Sequence, residues 1–322
     1  MIIKPHKPEN INSSELVAYL KKAPGAFYLL AFMTIALTIW TPNFFSLNNL
    51  TNVALQVSVL SIVALGMTIV ILTEGIELSL GPVLGLCGVS AGLLVLAGYP
   101  LIIAILVSMC IGALFGVLNG ALIAIVGLPP FIVTLGSFGI AQSFAIVLTG
   151  GDSVVGLPEY FRWFNDGLFL SLPIPILTII IIFFITWILL YRTKFGRYIF
   201  AIGGNRLALK LAGANVNLYH IGAYIFAGLL TAVAAFIMTA RNNSAHPTIG
   251  VGLEFDAIAA VILGGTRFER GVGGIAGTIV GALAIGVLRN GLNLIGVGTE
   301  WQVAIIGVVI LTAVGIDSLR ET

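Results

Sequence analysis

The sequence predicts an all-α membrane protein of about ten transmembrane helices with an inverted internal repeat, and three observations lead there. The first is composition: of 322 residues, 59% are hydrophobic and 9% charged, and the mean hydropathy is +1.11. A soluble domain carries about 25% charged residues, so soluble classes are excluded. The second is segmentation into apolar runs of membrane-crossing length. The third is charge placement, because Lys and Arg gather in the same alternate connections.

Taken in order, the apolar segments are 25–41, 50–72, 79–98, 100–126, 130–149, 173–191, 219–240, 254–266, 272–296 and 300–318. Each is measured against the roughly 20 apolar residues that one crossing needs, which makes the eighth short and the fourth long. Residues 1–24 are polar and precede the first span as a cytoplasmic amino-terminal segment, with no cleavable leader visible. With that end inside, the connections 1–24, 73–78, 127–129, 192–218, 267–271 and the tail 319–322 hold 12 of the 15 basic residues. The bias sets both termini in the cytoplasm and the permease domain at 25–318.

The largest external segment, 150–172, carries Pro158, Tyr160, Phe161, Trp163 and Phe164. That pattern reads as a short amphipathic helix anchored among membrane lipid at the interface. The inverted repeat rests on a short match. Gly112-Ala-Leu-Phe-Gly-Val-Leu-Asn119-Gly resembles Gly281-Ala-Leu-Ala-Ile-Gly-Val-Leu-Arg289-Asn290-Gly, and the two copies run in opposite directions in this topology. Chance similarity of Gly/Ala/Leu-rich helices explains the match equally well. Cys87 and Cys110 fall in apolar runs and read as buried thiols, and the three histidines form no ligand cluster.

The longest internal basic stretch, 192–219, carries Arg192, Lys194, Arg197, Arg206 and Lys210 without an acid. Within it Gly203 and Gly204 lead to Asn205, which can cap a short helix over 206–212 that Ala212 and Gly213 close. A plain positive-inside loop would explain the charge but not the capping residues. Between the second and third spans the chain reads Leu72-Thr-Glu74-Gly-Ile-Glu77-Leu-Ser79-Leu-Gly-Pro82. Glu77 with Ser79 reads as a cap for the third span, where an acid is favoured by the helix dipole. A proton relay would need carboxylates deeper in the membrane.

These residues also resemble a known family. The 72–81 stretch is similar to the Thr-Gly-Gly-Ile-Asp-Leu-Ser-Val-Gly motif of sugar-importing permeases of ATP-binding cassette transporters, the ribose, xylose, galactose and autoinducer-2 branch. Ala201-Ile-Gly-Gly-Asn-Arg-Leu-Ala-Leu-Lys-Leu-Ala-Gly-Ala214, Leu253-Glu-Phe-Asp-Ala-Ile-Ala-Ala-Val-Ile-Leu-Gly-Gly-Thr266 and Gly291-Leu-Asn-Leu-Ile-Gly-Val297 resemble three further family blocks. The resemblance implies a bacterial inner-membrane permease that performs no bond chemistry, holds no cofactor and leaves ATP to a partner. The implied partners are cytoplasmic ATP-binding subunits docking on the 206–212 helix, a second permease chain, identical or related, and a periplasmic binding protein that delivers a sugar-like solute. Nucleic acid is not among them. An ion-coupled secondary transporter is the other class considered.

Departures from the family pattern stand at Glu74 (glycine in the family), at Arg206 and Leu207 (Pro-Glu) and at Arg289 (asparagine). Asn119, Arg289, Asn290 and Asn293 are the candidate pathway residues. For Arg289 two roles are open: pairing with Glu300 across a short hairpin, or facing the pathway. The second would favour an anionic sugar, because a guanidinium fork fits a carboxylate or phosphate.

Overall fold

The computed structural model describes residues 25–268 and 270–319. The expected amino-terminal segment 1–24 and residues 320–322 of the tail lie outside them. Among the described residues twelve helices follow one another: α1 Gly25–Trp40, α2 Leu47–Ile71, α3 Leu80–Leu96, α4 Leu101–Ala121, α5 Pro130–Thr149, α6 Glu159–Asp166, α7 Ile174–Arg192, α8 Lys194–Leu211, α9 Val216–Asn242, α10 Leu253–Leu263, α11 Ile275–Leu294 and α12 Thr299–Leu319. A π-turn, Leu122–Val126, extends α4. Short strands pair Val154–Val155 with Ser244–Ala245 and Leu168–Phe169 with Leu172–Pro173.

Among the described residues, six helices are long and apolar enough to cross a membrane: α2, α4 with its π-turn, α5, α7, α9 and α11. Of the other apolar helices, α1 has 16 residues, α3 has 17 and α10 has 11. Non-helical approaches, 72–79 and 243–252, lead into α3 and α10.

The interior is built on α2 and α9. From Val57 to Ile71 every residue of α2 is buried, as is nearly all of α3. α9 lies against α2, α3 and α4, while α2 lies against α9, α10 and α11. Glycines set the closeness of α4 to α9. A Cβ on Gly116 would lie 2.5 Å from the Ile225 Cα, one on Gly120 2.7 Å from the Ile221 Cα, and one on Gly112 would strike the Gly228 carbonyl. A stripe of small residues at intervals of four lets two backbones touch, which is how helices associate where lipid removes the usual hydrophobic drive.

The outer helices expose large apolar side chains, among them Phe32 and Ile35 of α1, Ile132 and Phe144 of α5, and Phe184 and Ile188 of α7. A surface of this kind suits lipid. Cys110 belongs to it: expected as buried, it is exposed because its face of α4 has no protein neighbour, whereas Cys87 is buried beside Ser108. In the 150–172 segment Pro158 precedes α6, which turns Phe161 and Phe164 onto Phe236 of α9 at ring distances of 5.7 and 5.6 Å. Tyr160 and Trp163 remain exposed.

Candidate functional site: the basic segment and the helix breaks

The basic segment is more helical than its sequence implies. α8 starts at Lys194 behind Thr193 and runs to Gly204, where Asn205 leaves helical geometry (φ −162°, ψ 90°) and a second short helix begins. Asn205 Oδ1 accepts the Ala208 amide at 2.9 Å, the capping bond its side chain offers. At the other end Gly213 has φ +80°. Its amide reaches the Lys210 carbonyl at 3.1 Å, and the Ala214 amide reaches that of Leu209 at 3.3 Å, the pair of bonds of a Schellman ending. Ala212 is the C-cap. The helix presents Leu207 and Leu211, 68% and 80% exposed, with Lys210 between them.

The chain leading into this helix rests on the start of the first break. Gly203 is buried and packs so closely on the Leu72 carbonyl and Gly271 that a Cβ there would strike both. Arg206 Nη2 donates to the Ala124 carbonyl of the π-turn at 3.3 Å. The junction between the two halves of α8 therefore touches the end of α2, the turn after α10 and the end of α4.

The first break begins as α2 ends at Leu72. Glu74 adopts φ +61°, a left-handed conformation that costs a side chain about 1 kcal/mol and glycine nothing. Three residues on, Glu77 is buried and takes over the capping of α3. Its Oε1 accepts the Ser79 amide at 2.8 Å and the Ser79 hydroxyl at 2.5 Å. The hydroxyl of Ser79 makes no capping bond of its own. Glu77 Oε2 accepts from Asn119 Nδ2 at 2.7 Å, and Asn119 Oδ1 accepts from the Ser137 hydroxyl. This network ties α3, α4 and α5 together. In the second break Asn243 is left-handed, and the starts of α3 and α10 meet: Gly81 and Gly250 are in close backbone contact, with buried Glu254 beside them. Glu254 Oε1 accepts the Gly252 amide at 3.0 Å.

The four candidate pathway residues are all drawn into polar pairs. Asn119 is fully buried in the Glu77 network. Asn290 and Asn49 exchange amide bonds of 2.8 and 3.1 Å between α11 and α2. Asn293 Oδ1 accepts from Gln302 Nε2 at 2.7 Å. Arg289 does not pair with Glu300. Its Nη2 lies 2.5 Å from Asp256 Oδ2 in the first turn of α10, because α11 packs along α10 and turns Arg289 toward it. Sequence reading missed Asp256, although the signal was present: an acid within an apolar run needs a buried partner, and Arg289 is the basic residue within a span.

Comparison with known proteins decides the family. The family described as "Branched-chain amino acid transport system / permease component" matches residues 49–314. The chain belongs to this permease family. The ribose import permease protein RbsC of Escherichia coli K12 is 42% identical over 308 residues, covering 94% of this chain and 96% of its own. RbsC of Bacillus subtilis 168 is 42% identical over 299 residues, covering 92% and 93%. The galactose/methyl galactoside import permease MglC of Escherichia coli K12 is 36% identical over 331 residues, covering 96% and 98%. No solved structure matches. This permease thus has sugar-import permeases as relatives along nearly its whole length.

Proposed function

We propose that the chain is the membrane-crossing subunit of an ATP-driven importer of a sugar, working in the bacterial inner membrane. It crosses ten times with both termini cytoplasmic, counting α1, α3, α10 and α12 with the six longer helices and the extended approaches with the helices they precede. The permease relatives support sugar over a branched-chain amino acid, since ribose, allose and galactose permeases align over most of the chain. The reciprocal packing supports an inverted repeat: α2 lies on α10 and α11 as α9 lies on α3 and α4. Such repeats place solute between the halves, at the ends of interrupted helices.

The observation that carries the reading is the capped 206–211 helix, with exposed Leu207 and Leu211 beside basic residues and its base on the end of α2, the turn after α10 and the π-turn. ATP-binding subunits would dock there, and a second permease chain and a periplasmic binding protein would complete the machine. The permease does no bond chemistry and holds no cofactor. Work reaches it as a population shift between inward- and outward-open states, biased by contacts that only one state makes. An ion-coupled transporter would have no use for a docking helix. Leu207→Cys should cross-link through a short bis-maleimide to the ATP-binding subunit co-expressed with it. Cross-linking from an exposed cysteine at Val251 instead, with none from 207, would put the docking surface elsewhere.

A further inference from the structure

A cavity of about 110 Å³ lies between α2, α9, α10 and α11. One water takes roughly 10–15 Å³ of such space, so the cavity holds on the order of seven to eleven non-hydrogen atoms. Leu60, Leu253 and Ile285 supply apolar wall, and Gln56, Arg241, Asp256 and Arg289 bring polar groups to it. An apolar hollow with a few convergent polar groups is the usual form of a small-molecule site.

The polar groups are incompletely used. Asp256 and Arg289 share a single contact, Oδ2 to Nη2, so the second carboxylate oxygen and the other guanidinium N–H groups face no protein partner. The side chains are 14% and 31% exposed, enough to be reached from the cavity. Gln56 and Arg241 form no hydrogen bond or ion pair with any described residue. Acceptor and donor thus stand side by side, and Gln56 and Arg241 add further polar groups to the lining.

We propose that this cavity binds a neutral polyhydroxylated solute of about pentose size, with one hydroxyl donating to Asp256 and its neighbour accepting from Arg289. The inference rests on the sugar-import reading and names where in this chain the sugar is held. Hydroxyls suit a wall of mixed donors and acceptors because each both gives and takes a bond. An anion does not. Bound to the remaining N–H groups of Arg289, it would stand beside the Asp256 carboxylate on the same guanidinium, and the two negative charges would repel. The acidic sugar that Arg289 alone would favour is therefore disfavoured once Asp256 stands beside it. Position also fits. Gln56 is nine residues into α2 and Arg289 five from the end of α11, so the cavity lies about 8–14 Å from the helix ends remote from α8.

The test measures binding of radiolabelled D-ribose, D-allose and D-galactose to the permease assembled with its ATP-binding subunits in nanodiscs, without binding protein, alongside ATP-driven uptake by the complete system. Asp256→Asn and Arg289→Gln are introduced together, so that no lone charge is left to prevent folding, and assembly and melting temperature are followed. The expected result is binding of at least one sugar to the parent complex, weakened about tenfold or more in the intact double variant. Unchanged binding in that variant would make the pair purely structural. Competition by D-ribonate stronger than by D-ribose would overturn the neutral assignment. Uptake without detectable sugar binding to the parent complex would end this proposal and leave the import reading standing. Absence of ATP-driven uptake would instead remove the import reading.

Discussion

Replacing Asn205 and Gly213 by alanine should uncouple ATP hydrolysis from transport while leaving the membrane domain folded. Asn205→Ala removes the 2.9 Å cap bond to Ala208, worth about 1 kcal/mol. Gly213→Ala forces a side chain into φ +80°, at a cost of about 1 kcal/mol or more. The two ends of the short helix are roughly 9 Å apart at 1.5 Å per residue, so the losses should add. About 2 kcal/mol corresponds to a roughly 30-fold shift toward disorder, and a helix this short has little stability of its own. The assay is ATP hydrolysis stimulated by sugar-loaded binding protein, with solute transported per ATP, for the complex in nanodiscs. Each single variant should lower stimulated hydrolysis several-fold and the pair about tenfold or more. Excess ATP-binding subunit should restore part of it, because binding selects the ordered helix. Faster amide exchange over 208–214 with fully retained coupling would refute the reasoning, since a disordered segment would then transmit as well as an ordered one.

Other expectations follow from the same geometry. Gly116→Leu should destabilise the permease by about 1–3 kcal/mol through overpacking against Ile225, read as a lower melting temperature in detergent. Gly139→Ala, which meets open space, should leave that temperature unchanged or raise it slightly. Glu74→Gly should stabilise by about 1 kcal/mol by relieving φ +61°; a loss of stability would mean that the carboxylate makes a contact that offsets the strain. Reporters fused after Gly213 and after Gly151 should give opposite compartment signals, and matching signals would remove the proposed topology.

What the sequence made legible was local chemistry. Asn205 and Gly213 end a helix through bonds to residues three to five positions away, so their roles follow from residue type and spacing. The same holds for Glu77 ahead of α3. The first half of α8 was within reach too: Phe195, Ile199 and Ile202 recur on one face, but the density of basic residues masks the period. Glu74 stands where the family has glycine, and its φ of +61° is a conformation that glycine adopts freely. Partners across helices were not legible. Asn49 meets Asn290 from 241 positions away, and Arg289 meets Asp256 rather than the nearer Glu300. Hydropathy fixes which segments are apolar; it does not fix how α11 is rotated against α10 and α2. The segments 79–98 and 254–266 became α3 and α10 to within three residues at either end; the course of the non-helical residues ahead of them was not legible.

The account stands or falls on what drives uptake. Proteoliposomes containing the permease, its ATP-binding subunits and its binding protein should accumulate D-ribose or a related neutral sugar when ATP is supplied on the side of the 206–211 helix. That accumulation should persist when ionophores collapse every ion gradient. Accumulation that ignores ATP and disappears with the ionophores would contradict the docking helix, the ATP-driven cycle and the import mechanism together.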